Sequence, residues 1–151
     1  MAITIRPARQ GDQGTIVSLI RQAKLNPRNL HWQNFLVAEE GGQLVGIRQI
    51  KVYSDGTREV ASGFVLPGYR RQGISAQLMK ALLTRETGPL YTMVNEKRSL
   101  YYEQFGFRRV EVSQLPAEFR KEYRMGRIVT TLMSLFAKER VRIVPLRREP
   151  S

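Results

Sequence analysis

Glu59-Val60-Ala61-Ser62-Gly63-Phe64-Val65-Leu66-Pro67-Gly68-Tyr69-Arg70-Arg71-Gln72-Gly73-Ile74-Ser75-Ala76 is the stretch on which the fold turns. Its first eight residues read as the third strand of a meander, which Pro67-Gly68 ends. From Ile74 onward, Leu78, Ala81 and Leu82 recur at helical spacing until Gly88-Pro89 closes the helix, and Leu90-Tyr91-Thr92-Met93-Val94 is again a strand. Strand, helix, strand is a crossover. Such units join parallel strands of one sheet with a right-handed connection, and a ligand site is expected at the carboxyl ends of the two strands.

Upstream, residues 3–7 form a short strand, and Ile16, Leu19, Ile20 and Ala23 mark one face of a helix with Asp12 as its N-cap. After Asn26-Pro27 the segment Leu30-His31-Trp32-Gln33-Asn34 leads into a strand at 35–38. Glu40-Gly41-Gly42 turns it back into 44–53, and Ser54-Asp55-Gly56 turns that into 59–66, an antiparallel meander. Downstream, a short helix over 98–104 closed by Gly106 precedes a strand at 107–112. A helical stretch opens at Pro116 and runs through Val129, Leu132, Met133 and Phe136, and 141–144 has the composition of a last strand. Neither repeat nor linker interrupts the pattern, so 1–151 reads as a single domain with a basic helix-and-strand extension at about 116–148.

Composition narrows the chemistry. With 42% hydrophobic and 25% charged residues the 151-residue chain is an ordinary globule. No cysteine and one histidine exclude disulfides, thiol nucleophiles, iron–sulfur clusters and multi-histidine metal sites, so no metal is expected. Twenty-five basic against 13 acidic residues leave a net charge of +12, and 19 of the 25 are arginine, which calls for an anionic partner. The opening MAITIRPARQ lacks the apolar stretch of a secretory signal, and no segment approaches the ~18 apolar residues of a membrane span, so a cytoplasmic protein is expected.

The segment from Tyr69 to Ala76 suits phosphate. A helix N-terminus offers free N–H groups and about half a positive charge, Gly73 admits an anion close to the backbone, and Arg70 and Arg71 add full charges. The dinucleotide fingerprint G-x-G-x-x-G and the nucleoside-triphosphate loop G-x-x-x-x-G-K-[ST] are both absent, so another pyrophosphate carrier is wanted. Arg70-x-x-Gly73-x-Ser75 resembles the acyl-CoA-binding signature of the GNAT acyl-CoA N-acyltransferases, departing only in Ser75, where that family has Gly or Ala. Val65-Leu66-Pro67 before it, Asn95 after the next strand, and Leu100-Tyr101-Tyr102-Glu103-Gln104-Phe105-Gly106-Phe107 are similar to the family's pattern in order and spacing. The likeness spans about residues 3–112.

What the resemblance implies is an α/β fold with a central mixed, mostly antiparallel sheet, helices on both faces, a β-α-β acyl-CoA-binding crossover and a V-shaped opening beside the strand at 59–66. The implied activity is transfer of an acetyl group from acetyl-CoA to a primary amine of a small molecule or peptide, by direct attack in a ternary complex. Val65, Leu66, Arg70, Arg71, Gln72, Gly73, Ile74, Ser75, Ala76 and Asn95 would bind the cofactor, with Val65 N–H pairing the pantetheine and Gly63 N–H receiving the charge on the carbonyl oxygen. Tyr102 stands where the family often places its general acid, with Tyr101 as competitor. Glu59, on the same strand face as Ala61, Gly63 and Val65, is the candidate base, against a solvated carboxylate paired with an arginine such as Arg48. His31 is the other candidate base, and Asn95 is equally suited to capping a helix.

Two rivals remain open at this level: a binding module that keeps the cleft and docks on nucleic acid or an anionic membrane, and an enzyme for longer acyl chains. Residues 120–148 hold nine basic side chains against two acidic ones. The spacing of Val129, Leu132, Met133 and Phe136 favours packing of that helix against the sheet over docking on a membrane or nucleic acid. Monomer and homodimer are equally compatible with the sequence.

Overall fold

The computed structural model describes residues 2–151. Its elements are β1 (Thr4–Pro7), α1 (Gln13–Gln22), β2 (Phe35–Glu40), β3 (Gln43–Val52), β4 (Arg58–Val65), α2 (Ile74–Leu83), β5 (Leu90–Asn95), α3 (Ser99–Glu103), β6 (Phe107–Arg109), α4 (Ala117–Ser134) and β7 (Ile143–Arg148). The strands form one mixed sheet in the order β1-β2-β3-β4-β5-β7-β6. β1–β2, β2–β3, β5–β7 and β6–β7 are antiparallel, whereas β4 and β5 run parallel with Glu59 opposite Tyr91. The crossover expected from residues 59–94 is therefore present.

The chain forms two compact units, one of residues up to Lys51 with Val60–Glu86 and one of Val52–Glu59 with Thr87–Ser151. In the first, the apolar face of α1 (Ile16, Leu19, Ile20) buries against Phe35, Val37 and Ile47, and Phe64 and Leu66 pack on the same cluster. Strand residues alternate between faces, so Gly46 looks the other way, toward Ile74 and Leu78 of α2. Helices α1 and α2 thus cover opposite faces. The carboxylate of Asp12 does not cap α1; it accepts from Arg6 Nη1 at 2.8 Å and from the Arg9 N–H at 2.7 Å, closing the turn before the helix.

In the second unit, α4 sets Phe119 and Tyr123 against Tyr91 and Leu115. The Phe119 ring meets Tyr53 edge-on at 6.1 Å and Tyr91 at 5.5 Å, and the Tyr123 hydroxyl donates to the Ile143 carbonyl at 3.1 Å. The closing strand starts two residues later than the composition suggested and inserts between β5 and β6. The face expected to pack does not do so. Val129, Leu132, Met133 and Phe136 are exposed, because Phe119, Tyr123 and Gly126 fix which side of the helix meets the sheet. At about 100° per residue Leu132 then falls on the far side and Val129 on the flank, while Met133 belongs to the last turn and Phe136 lies past the helix end at Ser134.

Arg6 also donates to Glu39 at 3.0 Å, which ties β1, β2 and the turn into one ion-pair network. Its hydrogen bonds hold the Asp12 carboxyl below the usual aspartate range. A folded-state pKa below the unfolded value of about 4 stabilises the fold above that pH, and the stabilisation is lost as pH falls through the lower, folded value. Replacing Arg6 by Gln should therefore cost stability most above about pH 4. The deficit should shrink on acidification, as read from urea unfolding midpoints across the acid range.

Candidate active site

The site begins with an irregularity in β4. Ser62 has φ +59°, the left-handed region that a β-branched or ordinary residue rarely enters, and a left-handed residue within a strand marks a bulge. Gln49, fully buried on β3, donates from Nε2 to Ser62 Oγ at 2.6 Å and holds it there. Beyond the bulge the Leu66 N–H donates to the Val45 carbonyl at 2.9 Å. By alternation the N–H groups of Gly63 and Val65 point away from β3. A left-handed residue at 62 interrupts the period of two on which a shared face of Glu59, Ala61, Gly63 and Val65 was expected.

The turn that follows is fixed at three points. Tyr69 donates its hydroxyl to Glu40 on β2 at 3.1 Å, Arg70 Nε donates to the Val65 carbonyl at 3.0 Å, and the Arg70 guanidinium lies 5.6 Å from the centre of the Phe64 ring. Arg71 and Gly73 are left-handed, at φ +64° and +77°. Gly73 is the N-cap of α2, and the first helical bond runs from the Gln77 N–H to the Gly73 carbonyl, so the N–H groups of Ile74, Ser75 and Ala76 have no partner within the helix. A Cβ placed on Gly73 would meet nothing within 4 Å. Arg70, Arg71, Gln72 and Gly73 are all exposed. The result is an open, positively charged helix start.

Beneath it lies a residue that the sequence reading assigned elsewhere. Arg48 on β3 is only 6% exposed, and its Nη2 donates to Ser75 Oγ at 3.0 Å. The guanidinium occupies the space that a side chain at Gly63 would take, with Nη2 2.5 Å and Cζ 2.7 Å from the ideal Cβ position. Arg48 Nε is buried without a hydrogen-bond partner among the described residues. The pairing of Arg48 with Glu59 that the sequence allowed is replaced by this one. The only hints were the glycine at 63 and the serine at 75, each unremarkable until the fold brings them to one guanidinium. Gly63→Ala is expected to push the guanidinium off Ser75 and cost about 1–3 kcal/mol, the worth of a charge-assisted bond, while leaving the fold intact. In an Arg48→Met background the same substitution should be close to neutral, which a double-mutant cycle of unfolding free energies measures.

The second unit holds the remaining candidates. Glu59 is 4% exposed, and its Oε1 accepts from the Tyr53 hydroxyl at 2.5 Å, so it is a buried, hydrogen-bonded carboxylate rather than a solvated one. Tyr102 is buried at 7%, with Tyr101 edge-on at 5.5 Å and Phe107 at 6.1 Å, and its hydroxyl bonds to none of the described residues. Tyr101 is exposed beside Arg98 and Phe105. Asn95 Oδ1 accepts from the Lys97 N–H at 3.1 Å and caps the turn after β5. His31 is exposed, and its carbonyl accepts from the Asn34 N–H. Gly63, Val65, Leu66 and residues 70–76 thus share the first unit, and Glu59, Asn95 and Tyr102 the second.

No curated protein sequence matches the chain. Among solved structures it resembles N-acetylglutamate synthase from Neisseria gonorrhoeae, complexed with coenzyme A and N-acetyl-glutamate, with a TM-score of 0.77 at 21% identity; the match covers 100% of this chain and 36% of that one. It also resembles Rv2747 from Mycobacterium tuberculosis, in complex with CoA and NLQ (TM-score 0.72, 21% identity, 98% and 99% covered), and Escherichia coli ElaA (0.68, 15%, 98% and 100%). The chain spans about a third of the length of the synthase. At these identities the likeness is one of fold. Residues 31–109, more than half of the chain, match the family model described as acetyltransferase (GNAT) domain, a span that includes β2 to β6 and the whole turn from Pro67 to Ala76. The chain belongs to the GNAT acetyltransferase family.

Proposed function

We propose that the chain is an acetyl-CoA-dependent N-acetyltransferase acting on the primary amine of a small molecule or peptide. The observation that supports this best is the exposed start of α2, where left-handed Gly73, three N–H groups unpaired within the helix and the side chains of Arg70 and Arg71 meet at the end of β4. Open space at Gly73 fits a pyrophosphate, which needs close approach to the backbone. The complexes of the Neisseria and Mycobacterium proteins with coenzyme A are in keeping with that cofactor. N-acetyl-glutamate in the former is in keeping with a small amine as acceptor.

Coenzyme A would supply a thioester, which an amine attacks. On this reading Arg70, Arg71, Gln72 and the N–H groups of Ile74, Ser75 and Ala76 hold the phosphates, while Leu66 and the Val65 N–H line the pantetheine. The Val65 carbonyl accepts from Arg70 Nε, which ties this end of the strand to the phosphate turn. The Gly63 N–H donates to the carbonyl oxygen as negative charge builds there, and the buried Arg48 guanidinium beside Gly63 adds fixed positive charge to that position. Glu59, oriented by Tyr53, takes up the amine proton, and Tyr102 donates its phenol proton to the departing thiolate. The absence of cysteine removes the usual thiol for an acyl-enzyme, which favours direct transfer.

Calorimetric titration of acetyl-CoA tests the cofactor assignment. The wild-type protein should bind and Gly73→Glu, which puts a carboxylate at the phosphate position, should not, with the thermal midpoints of the two compared as a control. Absence of wild-type binding would overturn the assignment. Tyr102→Phe should bind acetyl-CoA normally yet lower turnover ~10²–10⁴-fold once an acceptor is in hand.

A further inference from the structure

The exposed half of α4 is the feature that acetyl transfer leaves unexplained. Met125, Ile128, Val129 and Leu132 are spaced i, i+3, i+4 and i+7, so they form one stripe; Phe136 follows just past the helix end, and all five are exposed, Leu132 at 56% and Phe136 at 93%. Leu135 at 70% widens it. Between Gly126 and Lys138 the only charged residue is Arg127, and no acidic residue occurs. Arg124 and Arg127 flank the stripe on the helix, and Lys138 and Arg140 follow it; none of the four meets a carboxylate at ion-pair distance among the described residues. Beside the stripe, Val112, Tyr123, Ile128 and Leu132 line an open apolar groove of about 540 Å³ with Arg124 and Arg127 at its rim.

We infer that this face docks on an anionic lipid surface. An amphipathic helix with bulky apolar residues on one side and unpaired cations at the margin matches a bilayer interface, where acyl chains take the stripe and acidic headgroups the cations. Charge decides between occupants. A second copy of the chain would set the same cations against one another with Glu139, already paired with Lys97, as the one carboxylate between Arg124 and Arg140 to offset them, whereas an anionic bilayer complements all four. No helix among the described residues is long and apolar enough to cross a membrane, so the contact is peripheral. This inference does not depend on the acetyltransferase reading.

The test is co-sedimentation of the full chain with vesicles of phosphatidylcholine alone or mixed with phosphatidylglycerol. Binding is expected to the mixed vesicles only, to weaken with salt, and to fall about fivefold for each of Arg124→Gln and Arg127→Gln. Leu132→Asp and Phe136→Asp, both at exposed positions, should abolish it with the thermal midpoint unchanged. Equal binding to neutral vesicles, or none to either, overturns the inference. So does a dimer in solution that Phe136→Asp dissociates while vesicles remain unbound, because the stripe would then belong to a second copy.

Discussion

Helix α2 approaches β3 so closely at Gly46 that a Cβ there would lie 3.2 Å from Ile74 Cγ2, 3.3 Å from Leu78 Cδ1 and 3.4 Å from Val65 Cγ2. Only a residue without a side chain lets the helix settle at this depth unless its neighbours give way. Much of the candidate phosphate site follows from that approach. Arg48 lies two residues beyond Gly46 on the same strand and so on the same face, and the low-lying helix puts Ser75 in reach of its guanidinium. Gly63 leaves the guanidinium room to lie flat against β4. With Gly73 left-handed at the N-cap, the free N–H groups of the first turn open next to a buried cation.

A buried guanidinium with an unpaired Nε is expensive. Removing such a charge from water costs several kcal/mol unless hydrogen bonds or an opposite charge offset it, and a single bond to a serine hydroxyl offsets only part. The cost is intelligible where negative charge arrives during function, because a fixed cation in a site of low dielectric stabilises it without reorganisation. Gln49 and Ser62 point the same way. A buried amide holds a serine in a left-handed conformation in the middle of a strand, a local strain that persists because the surroundings over-determine it.

Local signals were read correctly where the chemistry is local. The strands expected at 35–38, 44–53, 59–66 and 90–94 are present within two residues at each end, and the helix starts at Ile74 after the open turn around Gly73; apolar runs, helical spacing and the glycines and prolines between them carry these readings. Contacts between distant residues were not legible. Nothing in the neighbourhood of Arg48 predicts Ser75, 27 positions away, and the hydroxyl of Tyr53 reaches Glu59 only because the turn at Ser54-Asp55-Gly56 folds one onto the other. The left-handed conformation of Ser62 has no sequence mark, since serine is ordinary in strands of every kind. Asn95 illustrates the opposite limit: its type suited two roles, and the bond to the Lys97 N–H supplies the capping one.

Helix α4 shows why an apolar pattern can be read correctly and placed wrongly. Along the line that faces the sheet the residues are Phe119, Tyr123 and Gly126, then Thr130 and Ser134. The hydroxyls of Thr130 and Ser134 turn back to the carbonyls of Gly126 and Thr130 at 2.9 and 2.7 Å. The sheet-facing line therefore passes from aromatic to small and polar halfway along the helix. The apolar residues meanwhile move to the far side, at Met125, Ile128 and Leu132, so the helix changes its apolar face within 18 residues. Spacing alone reports that the second half is amphipathic. It cannot report that the side chains which anchor the first half point the other way, and it is this opposition that leaves the stripe facing water.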